Sequence, residues 1–107
     1  MGRRQVGDVR YFKDPRTKKK VPVSRIVEVV RGPRVSGDWG VYDFEAWLEE
    51  DCSTQGIHYI SFPYYRNGRF AGQTTLRAPP RAVQDLIRQI TRRGWLRLAG
   101  WPVSRSP

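Results

Sequence analysis

The dipeptide Asn67-Gly68 is the feature that most constrains the fold of this chain. It separates two runs, IHYISFPYYR and RFAGQTTL, that are rich in aromatic and β-branched residues. Both central positions of a type I′ turn need positive φ angles, which Asn and Gly adopt readily, so the sequence predicts a β-hairpin over residues 57–76. The two-residue loop also sets the register, which pairs Arg66 with Arg69, Tyr65 with Phe70, Phe62 with Gln73 and Tyr59 with Leu76.

The predicted hairpin has two different faces because side chains alternate along a strand. One face carries no formal charge and is expected to join the core; it holds Ile57, Tyr59, Ser61, Pro63, Tyr65, Phe70, Gly72, Thr74 and Leu76. The other face mixes rings with guanidinium groups; it holds His58, Ile60, Phe62, Tyr64, Arg66, Arg69, Ala71, Gln73, Thr75 and Arg77. Rings that stack on bases, beside cations that neutralise phosphates, are typical of surfaces that bind single-stranded nucleic acid.

The balance of charge supports the same interpretation. The 107 residues carry a formal charge of +10, and sixteen of the twenty basic residues are arginine. An excess of this size indicates a polyanionic partner, of which nucleic acid is the commonest. A GC-rich genome or a heat-adapted host would also favour Arg over Lys, but neither explains the net charge. Lys18, Lys19 and Lys20 would extend the binding surface, although a lysine run is also typical of a solvated loop.

Acidic residues are concentrated in residues 38–51, which hold six of the ten acids and no base. Because carboxylates repel phosphates, we expect this segment to lie away from the binding face or against a basic surface. Asp43 is interpreted as the N-cap of a short helix, Phe44 to Asp51, whose apolar face carries Phe44, Trp47 and Leu48.

The chain is short enough for a single domain. Residues 1–8 are interpreted as a basic flexible arm, residues 9–101 as one α+β domain and residues 102–107 as a polar tail. In order along the chain, the patterns predict strands at 9–12 and 21–31, the helix at 44–51, the hairpin, and an amphipathic helix at 81–93. Gly32-Pro33 is expected to end the second strand. The C-terminal helix is expected to begin after Pro79-Pro80 and to end at Gly94. The predicted fold is a small antiparallel sheet of about four strands, in β-β-α-β-β-α order, packed on the C-terminal helix. Beyond that helix, Trp95 and Trp101 are expected to fold back on the domain or to form a homodimer contact together with it.

The sequence lacks the motifs of nucleotide-binding loops, zinc proteases and nucleophile elbows. Cys52 is the one cysteine and His58 the one histidine, so we expect a non-enzymatic protein with no cofactor and no metal. The alternative, a metal-dependent nuclease, would draw on Asp38, Asp43, Glu45 and His58. No apolar run approaches the ~18 residues of a membrane span, and the N-terminus lacks the apolar stretch of a signal peptide. We therefore expect a cytoplasmic protein associated with the nucleoid or the ribosome.

The segment from Ile57 to Ile90, about a third of the chain, resembles the positive cofactor four family of single-stranded-DNA-binding transcription coactivators. An aromatic strand, here YISFPYYR, is followed by a turn, a strand end, here GQTTL, and a proline-started amphipathic helix, here PPRAVQDLIRQI. The resemblance implies a dimer that packs this helix across a curved sheet and binds unpaired DNA strands on the ridges of the sheet. Two features depart from the family: the helix expected at 44–51 interrupts its four consecutive strands, and arginine replaces lysine at the strand ends.

The sequence therefore favours a non-enzymatic protein that binds single-stranded nucleic acid, with DNA favoured over RNA. The residues expected to bind it are Phe62, Tyr64, Arg66, Arg69, Arg77, Lys18, Lys19, Lys20 and His58, with Tyr42 or Trp39 as further rings. The alternative is a small basic factor that docks on RNA polymerase or the ribosome through protein contacts, supplied by the acidic segment and the Trp95/Trp101 tail.

Overall fold

Strands are the predominant secondary structure in the part of the chain that the structure describes. The computed structural model describes residues 3–72 and 78–102. Its elements are β1 (Val9–Lys13), β2 (Lys20–Gly37), β3 (Gly40–Asp51), β4 (His58–Ser61), β5 (Tyr64–Arg66), β6 (Arg69–Gly72), helix α1 (Pro80–Arg92) and a short 3-10 helix, Trp95–Arg97. The six strands form one curled antiparallel sheet in the order β1-β2-β3-β5-β6, with β4 also paired to β3.

Strands β4 and β5 follow one path along β3. Trp47 pairs with Ser61 in β4, and Phe44 pairs with Tyr64 in β5, so the register does not shift between them. The path is interrupted at Phe62-Pro63 because proline has no N–H to donate to the ladder. The carbonyl of Pro63 still accepts a hydrogen bond from the N–H of Glu45, at 3.1 Å.

The predicted α+β fold of about four strands, in β-β-α-β-β-α order, is wrong. Residues 44–51 belong to strand β3 instead of a helix. Phe44, Ala46 and Leu48 point to one side of the sheet, and the intervening Glu45, Trp47 and Glu49 point to the other. Phe44, Ala46 and Leu48 recur at every second position, which is the period of a strand and not of a helix.

The predicted end of the second strand at Gly32-Pro33 is also wrong, because β2 continues to Gly37 through an irregularity in register between Arg31 and Arg34. Gly32 is needed for another reason. A Cβ atom there would lie 2.9 Å from Cδ2 of Leu86 in α1 and 3.1 Å from the carbonyl oxygen of Phe44, so glycine lets the helix approach the sheet closely.

Several local predictions are confirmed. Asn67 and Gly68 have φ angles of 51° and 82°, and the hairpin pairs Arg66 with Arg69 and Tyr65 with Phe70. The register then shifts by one residue, so that Tyr64 pairs with Gly72. The predicted partners Gln73 and Leu76 lie outside the described residues. The predicted C-terminal helix is present, with proline in its first turn and Gly94 in the left-handed region after its end.

The core has two parts, one on each side of the sheet. The larger part lies under α1 and consists of Val30, Phe44, Ala46, Leu48, Ala82, Leu86, Ile90 and Trp95. The smaller part, on the opposite side, consists of Ile26, Trp47 and Tyr65. Residues 3–8 lie on that second side, where the N–H of Gly7 donates to the carbonyl of Ile26 at 2.8 Å. Neither helix in residues 3–72 and 78–102 has the length and apolar content to cross a bilayer.

Candidate nucleic-acid interface

A groove of about 680 Å³ opens on the helix side of the sheet, where the first turn of α1 meets the ends of β2, β3 and β5. We call it the aromatic groove. Its lining residues are Val35, Gly37, Trp39, Tyr42, Phe44, Tyr64, Ala78 and Pro79. Half of these are aromatic, and none of the lining residues that the structure describes carries a charge.

Three rings form the floor of the aromatic groove. Strand pairing sets Phe44 opposite Tyr64 and Tyr42 opposite Arg66, which puts all of them on one face of the sheet. The ring of Tyr42 lies 6.4 Å from that of Phe44, with 12° between their planes, and 6.4 Å from that of Tyr64. Phe44 is buried and anchors the cluster, whereas Tyr42 and Tyr64 are half-buried and present part of each ring to the groove.

The rim of the groove is fixed by contacts between two turns. Trp39, in the turn between β2 and β3, has 74% of its surface exposed, and its carbonyl accepts a hydrogen bond from Nε of Arg66 at 3.0 Å. The N–H of Val41 donates to Oδ1 of Asn67 at 2.9 Å. A side chain at Gly40, where φ is 135°, would collide with the amide of Asn67, so the close approach of the two turns requires glycine.

Two arginines stand beside this rim. Arg66 and Arg69 face each other across the β5–β6 turn and are exposed. Within the described residues neither has an acidic partner, so both guanidinium groups are available to an anion. Phe70 lies on the opposite side of the sheet, where its ring stacks on that of Trp47 at 6.1 Å with 14° between the planes.

The structure brings together only part of the predicted site. Tyr64 lines the aromatic groove together with Tyr42 and Trp39, which the sequence suggested as further rings. Arg66 reaches the rim through its hydrogen bond to Trp39, and Arg69 pairs with Arg66 across the hairpin. Phe62 and Tyr64 are half-buried and pack against the core under α1, so the helix covers much of the face that was expected to be open. Arg77 lies outside the described residues.

The remaining predicted residues lie elsewhere on the sheet. Lys18, Lys19 and Lys20 are exposed in and after the β1–β2 turn, at the opposite end of β2 from Trp39. His58 begins β4 and pairs with Glu50. Its backbone N–H donates to the carbonyl of Ala99 at 2.8 Å, which ties the C-terminal segment to the sheet.

The acidic segment lies largely on the side of the sheet away from the groove, where arginines neutralise it. Glu45 is 1% exposed and accepts hydrogen bonds from Nε1 of Trp47 at 3.0 Å and from Arg3 at 3.3 Å. Arg3 also donates to Asp43 at 2.5 Å, and Arg34 donates to Asp43 at 2.8 Å. The hydrogen bonds from Arg34 and Arg3 hold the pKa of Asp43 below its usual value.

Glu49 is the second buried carboxylate of β3, with 2% of its surface exposed. It accepts two hydrogen bonds from Nη1 of Arg10, at 2.8 and 3.1 Å, one from Ser24 at 2.5 Å and one from Ser61. The guanidinium of Arg10 lies 5.4 Å from the ring centre of Trp47. Asp43, Glu45 and Glu49 are thus paired with arginines within the molecule, whereas Arg66 and Arg69 are left exposed.

The residues weighed for a nuclease do not come together. Asp43 and Glu45 share Arg3 as a partner, Asp38 lies in the β2–β3 turn, and His58 pairs opposite Glu50 near the other end of β3. Over the part of the chain that the structure describes, no three His, Cys, Asp or Glu side chains are grouped as a metal ion would need.

Reasoning from the sequence missed Val35, Ala78 and Pro79, which form walls of the groove. The alternation of residues 43–49 would have revealed β3 as a strand and so placed Tyr42 beside the hairpin. Comparison of the chain with protein-family models, with curated proteins and with solved structures finds no match.

Proposed function

We propose that this protein is a non-enzymatic binder of single-stranded nucleic acid, with DNA as the favoured ligand, and that the aromatic groove is its binding site. The observation that carries the proposal is the position of Arg66 and Arg69 beside a groove whose floor and rim present Tyr42, Tyr64 and Trp39. The rings would stack on bases while the guanidinium groups neutralise phosphates, which is how sequence-tolerant binders hold an unpaired strand.

An unpaired strand suits this groove better than a duplex does. The faces of the bases in a duplex are covered by their neighbours, whereas a single strand can turn a base onto an exposed ring. Trp39 is the best placed ring, because it is 74% exposed and its backbone is held by Arg66. The preference for DNA follows the resemblance of residues 57–90 to single-stranded-DNA-binding coactivators.

The first test is the substitution Trp39→Ala, measured by fluorescence anisotropy with a labelled oligothymidylate. Loss of one stacked base costs ~1–3 kcal/mol, so we expect binding to weaken by roughly 5- to 150-fold. Trp101→Ala is the matched control, because Trp101 is also an exposed tryptophan, at 54%, but lies near the C-terminus. Equal affinities for the two variants would contradict the proposed site.

A second test addresses the phosphates. Arg69→Gln should reduce the dependence of log affinity on log salt by about 0.7, the value for one phosphate contact with a single strand. Arg97→Gln removes the same charge from the 3-10 helix and should leave this slope unchanged.

A protein partner is the second candidate function: docking on RNA polymerase or the ribosome. It is favoured by an exposed apolar group near the C-terminus, where Leu96, Leu98 and Trp101 are 60%, 43% and 54% exposed. Absence of binding to any oligonucleotide at moderate salt would favour this candidate over the first.

A further inference from the structure

The ribbon formed by β1 and the start of β2 projects beyond the rest of the sheet. Pairing between β2 and β3 ends at Ser24, whereas β1 and β2 remain paired as far as Lys13 and Lys20. Residues 11–23, which we call the basic finger, are therefore two strands and a turn that, within residues 3–72 and 78–102, have a neighbour at their base only. Every residue of the finger except Asp14 is exposed.

The turn of the basic finger is held in one shape by its own backbone. The N–H of Lys18 donates to the carbonyl of Asp14 at 2.7 Å, and the N–H of Asp14 donates to the carbonyl of Lys19 at 2.9 Å. The carboxylate of Asp14 accepts the N–H of Arg16 at 2.9 Å. A turn fixed in this way displays its charges in a constant arrangement, which lowers the entropy lost on binding.

The finger combines charge with exposed apolar surface. It contains five basic residues and one acid, for a formal charge of +4. The lysines at 18–20 have no acidic partner among the described residues, since Asp14 is paired with Arg16. On the strands below the tip, Tyr11 and Phe12 are 59% and 58% exposed, and Val21 is 45% exposed. Binding of a ligand in the aromatic groove would use neither the charge nor the exposed apolar surface of the finger.

We propose that the basic finger inserts into the major groove of duplex DNA, as a second binding site separate from the aromatic groove. Two antiparallel strands lie ~4.8 Å apart, and the major groove of B-form DNA, ~12 Å wide, admits such a ribbon. The lysines and Arg16 contact the phosphates that border the groove. Phe12 and Val21 contact base edges, where the methyl group of thymine offers an apolar surface.

The width of the major groove also determines whether the finger can bind duplex DNA or duplex RNA. The major groove of A-form RNA is too narrow and deep for a ribbon, so duplex RNA is not the partner of the finger. The finger and the aromatic groove lie at opposite ends of β2. The protein thus has the arrangement needed to bind a junction, with duplex DNA at the finger and the unpaired strand at the groove. The junction rests on the proposed function of the groove, whereas binding of duplex by the finger does not.

The test compares two triple variants that lose equal charge. One carries Lys18→Gln, Lys19→Gln and Lys20→Gln; the other carries Arg88→Gln, Arg92→Gln and Arg97→Gln, which removes three exposed charges from α1 and the 3-10 helix. Anisotropy is measured at several salt concentrations with a blunt DNA duplex, the same duplex in RNA, an oligothymidylate, and the DNA duplex with an oligothymidylate tail. Far-ultraviolet circular dichroism confirms that each variant is folded.

The finger variant should bind blunt DNA duplex at least tenfold more weakly at 0.1 M salt, and its salt slope should fall by about 2.7, or ~0.9 for each lost phosphate contact. Its affinity for the oligothymidylate should match that of the helix variant. The tailed duplex should bind the unaltered protein more tightly than either part alone.

Three results would overturn the proposal: equal loss of duplex binding in both triple variants, binding of duplex RNA as tight as that of duplex DNA, or no binding of duplex at all. Failure of the aromatic groove gives a different pattern, in which oligothymidylate binding is absent while duplex binding still depends on the finger. The two failures are therefore distinguishable.

Discussion

Replacing Gly32 with alanine is expected to destabilise the protein, because this glycine is where α1 packs closest to the sheet. The added Cβ would lie 2.9 Å from Cδ2 of Leu86 and 3.1 Å from the carbonyl oxygen of Phe44, and Leu86 is fully buried. Forcing a methyl group into a packed core costs ~1–3 kcal/mol. Restriction of the unfolded chain by alanine offsets ~0.4–1 kcal/mol of this loss. The net loss should be about 1–2 kcal/mol.

The measurement is urea denaturation followed by tryptophan fluorescence. With a slope of ~1–3 kcal/mol per molar urea for a small domain, the midpoint should fall by roughly 0.5–1.5 M. Gly37→Ala is the matched control, since a Cβ at this second glycine of β2 would meet its nearest side-chain atom, Cε2 of Tyr42, at an ordinary 3.7 Å. Gly37→Ala should leave the midpoint nearly unchanged.

A double-mutant cycle with Leu86→Ala tests the cause. Leu86→Ala alone should cost ~2.7–5 kcal/mol, as truncation of a buried leucine does. In that background the two leucine atoms nearest the new methyl group are gone, so Gly32→Ala should cost little or even stabilise by filling part of the cavity. Additive losses in the double variant, or a single Gly32→Ala variant as stable as the unaltered protein, would refute the close-packing argument.

Three further predictions concern the side of the sheet away from the groove. The pKa of Asp43 is lowered in the folded state, so its contribution to stability is present above the ordinary aspartate pKa of ~3.9 and is lost as pH falls through the folded value. Asp43→Asn should therefore lower stability at pH 7 and flatten its fall below about pH 4, as urea midpoints at several pH values would show. Glu49→Gln breaks a buried ion pair with Arg10 and should cost ~3–5 kcal/mol; a loss below ~1 kcal/mol would contradict this role. Phe70→Ala should cost ~0.5–1.5 kcal/mol through its stacking on Trp47, with no change in affinity for the oligothymidylate.

The parts of the fold that could be predicted from sequence are those decided by local chemistry. Asn67-Gly68 fixes its turn through the φ angles it tolerates, and α1 follows from its apolar stripe, its early proline and Gly94. Strand β3 could not be predicted from the same kind of evidence. Its acids look like the solvated face of a helix until their partners are known, and Arg3 and Arg10 are about forty residues away in sequence.

Only the locally determined part of the candidate site could likewise be predicted from the sequence. Arg66 and Arg69 were placed correctly beside each other because the hairpin turn fixes their register. Periodicity assigned Phe62 and Tyr64 to one face but could not show which face α1 would cover. The position of α1 on the sheet depends on the close contacts of Gly32 with Leu86 and Phe44, and these three residues meet only in the folded chain.

The order of the strands in the sheet follows their order along the chain, since β1 through β6 each pair with a near neighbour in sequence. Such a meander can assemble one hairpin after another, because each strand pairs with a strand that is close to it along the chain. Other hydrogen bonds join distant segments, among them those from Arg3 to Asp43 and from His58 to Ala99, which span 40 and 41 residues. We expect these hydrogen bonds to form last, when the N-terminal and C-terminal segments pack on a sheet whose strands have already paired.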